Sequence, residues 1–224
     1  HNFVALGAGA YRVDLKDAVT GVLFDDAFFN LLEPAELIVN IDLDNAILCN
    51  GGTGDLSITT TGGTSPISSY SWSNGTNGLT TTGLSGNYVS SVIDANGCLD
   101  TAHYYLSEPL ILTISASNIT VFDAKCKGDS LGETYIQATG GTPIPGIPGK
   151  YDYELFDVDS ILINQQLALE AQFTGLSTGN YYVVVTDNNG CTDTTGIIFI
   201  SEPNNDLEIT IDSYDETAML NDGY

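Results

Sequence analysis

The chain has 224 residues, 42% of them hydrophobic, and 5 Lys+Arg against 29 Asp+Glu give a formal net charge of −24. That length holds one large domain or two to three small ones, and the apolar share argues against wholesale disorder. A nucleic-acid binder needs a basic footprint, which Arg12, Lys16, Lys125, Lys127 and Lys150 do not make; an anionic membrane would repel the same surface, and no apolar run reaches the ~18 residues of a bilayer span.

Thr, Ser, Gly, Asn, Ile, Val and Tyr are abundant, a mix that favours strands joined by turns. The acidic balance fits a solvated surface, with a cation-dependent role as the alternative.

Taken in chain order, the elements recur. Residues 1–34 read as the last third of a repeat: Leu6-x-x-Gly9-x-Tyr11, then Asp17, then Glu33-Pro34. Gly21 stands there where the later copies have Cys. Residues 35–109 read as a whole repeat: the alternating run LIVNID (37–42), Cys49, TGGT (61–64), SYSWSNG (69–75), LSGNY (84–88), VIDANGC (92–98) and SEP (107–109). Trp72 is expected to anchor its core.

Residues 110–203 repeat the order, with LILTIS (110–115) as expected first strand, Cys126, TGGT (139–142), GNYYVVVTD (179–187), VTDNNGC (185–191) and SEP (201–203). GETYIQATGG (132–141), KYDYELFD (150–157) and TTGIIFISEP (194–203) are further expected strands. YYVVV is apolar on both faces, as in a central strand covered on both sides. Extra residues around 144–172, including PIPGIPGK, predict a loop or an added hairpin. Residues 204–224 begin a further copy with LEITID (207–212). Neither end of the chain is therefore expected to be a natural end of the gene product.

Each whole repeat predicts a small sandwich, so the fold class is all-β: tandem immunoglobulin-like β-sandwich repeats arranged as beads on a string. Tyr11, Tyr88 and Tyr181 have the spacing of structural tyrosine corners, in which the hydroxyl bonds a nearby backbone group.

The order Cys…TGGT…SYSWSNG…LSGNYVSSVIDANGC…SEP resembles the SprB-type repeat of giant surface adhesins of Bacteroidetes. The resemblance covers roughly residues 35–203 and both ends in part. It implies many tandem copies, secretion to the cell surface by the type IX route and, in gliding species, movement along the surface that pulls the cell over a substrate. It implies an extracellular, non-catalytic stalk or adhesin. Its partners would be neighbouring repeats, surface polysaccharide, or an outer-membrane secretion and motility apparatus. Two other readings stand beside it: carbohydrate-binding modules of a secreted enzyme, with Tyr70, Tyr104, Tyr151 and Tyr153 stacking on sugars, and a subunit of a surface filament.

The twin loops VIDANGC and VTDNNGC admit three chemistries. Redox or zinc chemistry is poorly supported, because there is no C-x-x-C and no histidine near a cysteine. Two cysteines per whole repeat fit one disulfide within each, Cys49–Cys98 and Cys126–Cys191, worth about 4 kcal/mol in the chain-entropy model. Crossed pairs would instead tie two domains together. Asn-Gly predicts a hairpin turn, both residues tolerating positive φ, with the Asp capping the backbone.

Calcium is the alternative: Asp94, Asn96 and Asp100 cluster at one loop, and Asp187, Asn189 and Asp193 at the other. Ca²⁺ takes six to eight oxygens, so Glu108, Glu202, Asp55, Asp129 or backbone carbonyls would have to complete the shell. No other cofactor is expected.

GLSTG (175–179) matches a nucleophile elbow in letters only, since His1 and His103 both precede Ser177 and the stretch coincides with a tyrosine corner. No enzyme is predicted. Asp-Ser/Thr steps followed by a small or apolar residue mark Thr101, Ser130, Ser160 and Thr194 as candidate glycosylation sites.

Overall fold

A computed structural model of the chain describes residues 6–146, 149–205 and 208–211. These divide into two compact units, the described residues of 6–47 with 51–108, and those of 48–50 with 109–211. Of the expected strand at 207–212, Leu207 and Asp212 lie outside the described residues, and 208–211 belong to no strand.

The first unit begins with an antiparallel hairpin, β1 (Gly9–Lys16) and β2 (Leu23–Leu31), which forms a sheet of its own. Its turn corrects the sequence alignment. Asp17 N–H donates to the Val22 carbonyl, whereas Asp94 N–H donates to the Cys98 carbonyl. The hairpin turn is one residue longer, so Val22, not Gly21, takes the cysteine position, and Gly21 (φ 71°) matches Gly97 (φ 82°).

Two three-stranded sheets follow. β3 (Ile38–Asn45), β4 (Gly54–Thr61) and β6 (Thr80–Gly83) make one; β5 (Ser69–Trp72), β7 (Gly86–Ile93) and β8 (Leu99–Leu106) make the other. Alternation decides which side chains go inward. In β4, Leu56 and Ile58 are buried, and in β7, Tyr88 and Val92. They meet Val39, Trp72 and Leu106 in one core. Trp72 buries its ring there and donates its indole N–H to the Gly78 carbonyl at 3.1 Å, which satisfies its one polar atom.

The second unit has the same plan with two strands more, an added edge strand and a last strand split in two. β9 (Ile119–Phe122), β10 (Gly132–Ile136) and β13 (Ala171–Leu176) form one sheet. In the other, β12 (Leu162–Ala168), β11 (Tyr151–Asp157) and β14 (Gly179–Thr186) run in order, and β14 also pairs β15 (Thr192–Thr194) and β16 (Ile198–Ile200). Both units are immunoglobulin-like β-sandwiches, and among the described residues there is no α-helix. The insertion around 144–172 supplies β12, an added edge strand paired to β11.

Three expectations about this unit are corrected. LILTIS is not a continuous strand: Leu112 and Ile114 are buried, but pairing reduces to the single bridge Thr113↔Thr139. A 3₁₀ turn at Ala116–Asn118 interrupts it, because Ser115 and Ser117 bond each other at 2.7 Å and Asn118 N–H returns to the Ser115 carbonyl. Tyr151 and Tyr153 are not exposed aromatics but core, 5% and 0% accessible. Their hydroxyls reach the Gly140 and Leu169 carbonyls at 2.7 and 3.2 Å, which is what lets a polar ring sit inside. YYVVV is a central strand covered on one face only: Val183 and Val185 are buried, while on the outer face Tyr182 stacks on its cross-strand neighbour Phe156 at 5.3 Å.

Candidate functional site: the Asp-x-Asn-Gly turns and the cysteine loops

The TGGT and Asp-x-Asn-Gly-Cys motifs are two halves of one device. Asp94 is 1% accessible, and its Oδ1 accepts the N–H groups of Asn96 (2.9 Å) and Cys98 (2.8 Å). Its Oδ2 accepts the Thr64 N–H at 2.8 Å, the last residue of TGGT. The Asn96 amide donates to the Thr64 hydroxyl at 2.9 Å, and Ala95 N–H donates to the Thr64 carbonyl. Asp187 repeats every bond, to Asn189 and Cys191 at 2.9 Å and to Thr142 at 2.8 Å.

The glycines leave room for this. A Cβ on Gly62 or Gly140, both at positive φ, would lie 1.9 or 1.8 Å from the carbonyl oxygens of Glu36 and Ile111. A Cβ on Gly141 would lie 2.6 Å from the Asp187 carboxylate.

The turn itself is a three-residue loop. Gly97 N–H donates to the Asp94 carbonyl, and only Gly97, not Asn96, has positive φ. The N–H of Thr64, with those of Cys98 and Asn96, holds the Asp94 carboxyl below the usual carboxylate range, against the opposing effect of burial. The carboxylates offered as calcium ligands thus cap backbone. Asp100 and Asp193 accept from the Val39 N–H (2.8 Å) and the Ile114 N–H (2.7 Å). Among the described residues no group of three or more His, Cys, Asp or Glu converges as a cation site would require.

The Glu of Ser-Glu-Pro has a role that sequence reading missed. Glu108 accepts the Gly51 N–H at 2.6 Å and the Ser85 hydroxyl at 2.9 Å, so it clamps the loop that carries Cys49. These bonds hold its carboxyl below the ordinary range, the Gly51 N–H first. Glu202 accepts the Gly128 N–H at 2.6 Å and clamps the loop that carries Cys126. The recurrence of Gly two residues after Cys49 and Cys126, and of SEP at the end of each whole repeat, is the signal the sequence holds.

The cysteines do not pair within repeats. Cys49 bonds Cys191, with Cα atoms 5.7 Å apart, and Cys98 and Cys126 are free and exposed. Leu48–Asn50 groups with the second unit, not with the strands that flank it in sequence. There the Leu48 carbonyl accepts from the Asn189 amide at 3.0 Å, and the Asn50 amide donates to the Pro109 carbonyl at 3.0 Å. The crossed pairing, which joins sequence repeat 35–109 to sequence repeat 110–203, is the one formed.

The remaining candidate residues are structural or exposed. The hydroxyls of Tyr11, Tyr88 and Tyr181 donate to the carbonyls of Gly7, Leu84 and Ser177 at 2.7, 2.9 and 3.1 Å. Ser177 therefore sits in a tyrosine corner, its own hydroxyl bonded to that of Ser130 at 2.8 Å. Tyr70 and Tyr104 pack against the first core. Thr101, Ser130, Ser160 and Thr194 are all exposed, with Ser160 at φ 61° and its hydroxyl accepting from Tyr182.

No family model matches the chain, and no curated protein matches it. Among solved structures, the three N-terminal domains of the Hoc outer capsid protein of bacteriophage RB49 match at 16% identity, covering 74% of this chain and 59% of that one, with a TM-score of 0.42. The C-terminal 282-residue fragment of intimin, in complex with the intimin-binding domain of its translocated receptor, matches at 13% identity over 75% of this chain and 64% of that one, TM-score 0.43. The fibronectin(III)-like modules of Clostridium thermocellum CbhA match at 16% identity over 79% of this chain and all of that one, TM-score 0.29. The chain spans less than two thirds of the first two.

Proposed function

We propose that the chain is a non-catalytic repeat segment of a large secreted adhesin or stalk at the cell surface, similar to the gliding-motility adhesins of Bacteroidetes. The observation that carries this reading is the Cys49–Cys191 bond between successive sequence repeats. A disulfide persists in an oxidising, extracytoplasmic setting, and one that joins repeat to repeat resists extension along the string. Its sequence separation of 142 residues gives a loop worth about 5 kcal/mol in the chain-entropy model.

Polar groups that could have formed a reactive cluster are committed to backbone instead. Both Asp-x-Asn-Gly aspartates and both Ser-Glu-Pro glutamates accept N–H groups. Adhesion would then be distributed over many weak contacts on many copies. The sugar-stacking alternative loses two of its four aromatics to the core, Tyr151 and Tyr153.

The test is on intact producing cells. An antibody raised against residues 35–203 should label the cells without permeabilisation, and its Fab should lower their attachment to a solid surface. Labelling only after lysis would refute the surface reading, and surface labelling with unchanged attachment would refute the adhesive one.

A further inference from the structure

We propose that the outward face of the sheet β9–β10–β13 carries a binding site for a neutral polysaccharide, built on Phe122 and Tyr135 of the second unit. The two units share one backbone plan, so the first unit shows what this face needs for folding alone. There the face is polar and its side chains satisfy one another. The Asn45 amide and the Thr82 hydroxyl donate to Asp55, and the Ser57 hydroxyl donates to Asp44.

Strand register matches the two faces residue by residue. Phe122 opposite Glu133 stands where Asn45 lies opposite Asp55, and Tyr135 opposite Gln172 stands where Ser57 lies opposite Thr80. Two aromatic rings thus replace an amide and a hydroxyl on a solvent-facing surface, and Phe122 is left 53% accessible. The fold does not require them, since Asn45 and Ser57 serve in the first unit. Apolar ring surface left in water is what a ligand would cover.

The rings form a notch rather than a flat patch. Their planes stand at 79° with centroids 5.7 Å apart. An open cleft of about 300 Å³ lies against them, lined also by Asp123, Lys125, Leu131 and Glu133. The notch is set in advance. The Tyr135 hydroxyl donates to Glu133 at 3.1 Å and accepts from the Gln172 amide, and Asp123 accepts the Ser201 N–H at 2.8 Å. Side chains already held in place lose little freedom when a ligand arrives.

The lining selects the ligand. A pyranose ring has an apolar face of C–H groups and a rim of hydroxyls. The face suits a ring wall, while the rim suits carboxylate acceptors at Asp123 and Glu133 and an ammonium donor at Lys125. An apolar peptide would bury those charges without partners. An anionic glycan would meet two carboxylates on a chain of net charge −24. The site shares no residue with Tyr70, Tyr104, Tyr151 and Tyr153, and it has no counterpart on the matching face of the first unit.

The experiment is native affinity electrophoresis of the whole chain, in gels containing a neutral β-glucan, a neutral mannan, a neutral galactan or the anionic alginate, beside an inert acidic protein as mobility standard. The expected result is retardation by at least one neutral polysaccharide and none by alginate. F122N and Y135S each put in place a side chain that the first unit carries at the matching position. Each should raise the dissociation constant about tenfold, with the β spectrum in circular dichroism unchanged. No retardation in any neutral gel, equal retardation in alginate, or full retardation of the F122N/Y135S double variant would overturn the proposal. The assay uses purified chain, so its outcome is independent of the surface reading: intact cells can be labelled while the gels show no binding, and the reverse.

Discussion

At the residue scale the decisive groups are carboxylates that cap backbone. Asp94→Ala removes the buried carboxylate that accepts the N–H groups of Thr64, Asn96 and Cys98. It should destabilise the first unit by about 2–3 kcal/mol in urea titration, with the second unit unchanged. Ser90 is the opposite case: its hydroxyl is buried without a partner, and the matching residue of the second repeat is Val183. Ser90→Ala should raise the stability of the first unit by about 1 kcal/mol.

The same carboxylates set the acid limit. Asp94, Glu108, Asp55 and Asp123 all have folded-state pKa values lowered by hydrogen bonds. Such groups contribute stability above their unfolded pKa of about 4, and it is lost as pH falls through the folded values. Thermal melts should therefore be flat from pH 7 to about 5 and drop steeply below about 4; a midpoint independent of pH down to about 3 would rule this out.

At the element scale, the recurring TGGT is a corner that only glycine can turn. Gly140→Ala places a Cβ 1.8 Å from the Ile111 carbonyl oxygen at φ 80°. It should cost the second unit several kcal/mol, about 3 or more, and free the Asp187 turn, visible as faster hydrogen exchange at Asn189 and Cys191. Gly190→Ala, at φ 82° with open space around it, meets backbone strain alone and should cost less, about 1–2 kcal/mol.

Local signals in the sequence carried through at this scale. Asp-x-Asn-Gly made a turn, Tyr-x-alternations made central strands, and Trp72 went inside. Alternation, however, gives two faces without saying which is inner, so Tyr151 and Tyr153 could be placed on a strand but not on its buried side. LILTIS alternates like LIVNID, yet the Ser-Ala-Ser-Asn that follows it folds on itself and breaks the ladder. The Glu–Gly clamps needed contacts more than fifty residues apart, beyond any local pattern.

At the scale of the whole molecule, cysteine count and repeat order show that disulfides form, while pairing depends on which unit the tip Leu48–Asn50 joins. That choice rests on a few hydrogen bonds, Asn189 to Leu48 and Asn50 to Pro109, which no spacing announces. Its mechanical consequence is large. With the bond intact, the 142-residue span between Cys49 and Cys191 is shielded from tension, so single-molecule pulling should fall short by about 480 Å of contour length at ~3.4 Å per residue. Reductant should restore that length in full.

The most direct test of this architecture is a non-reducing peptide map of the oxidised chain after alkylation of free thiols. A Cys49–Cys191 linked peptide, with Cys98 and Cys126 alkylated, is the predicted result. Linked peptides Cys49–Cys98 and Cys126–Cys191 would contradict it, returning each bond to its own repeat and removing the covalent tie on which the stalk reading rests.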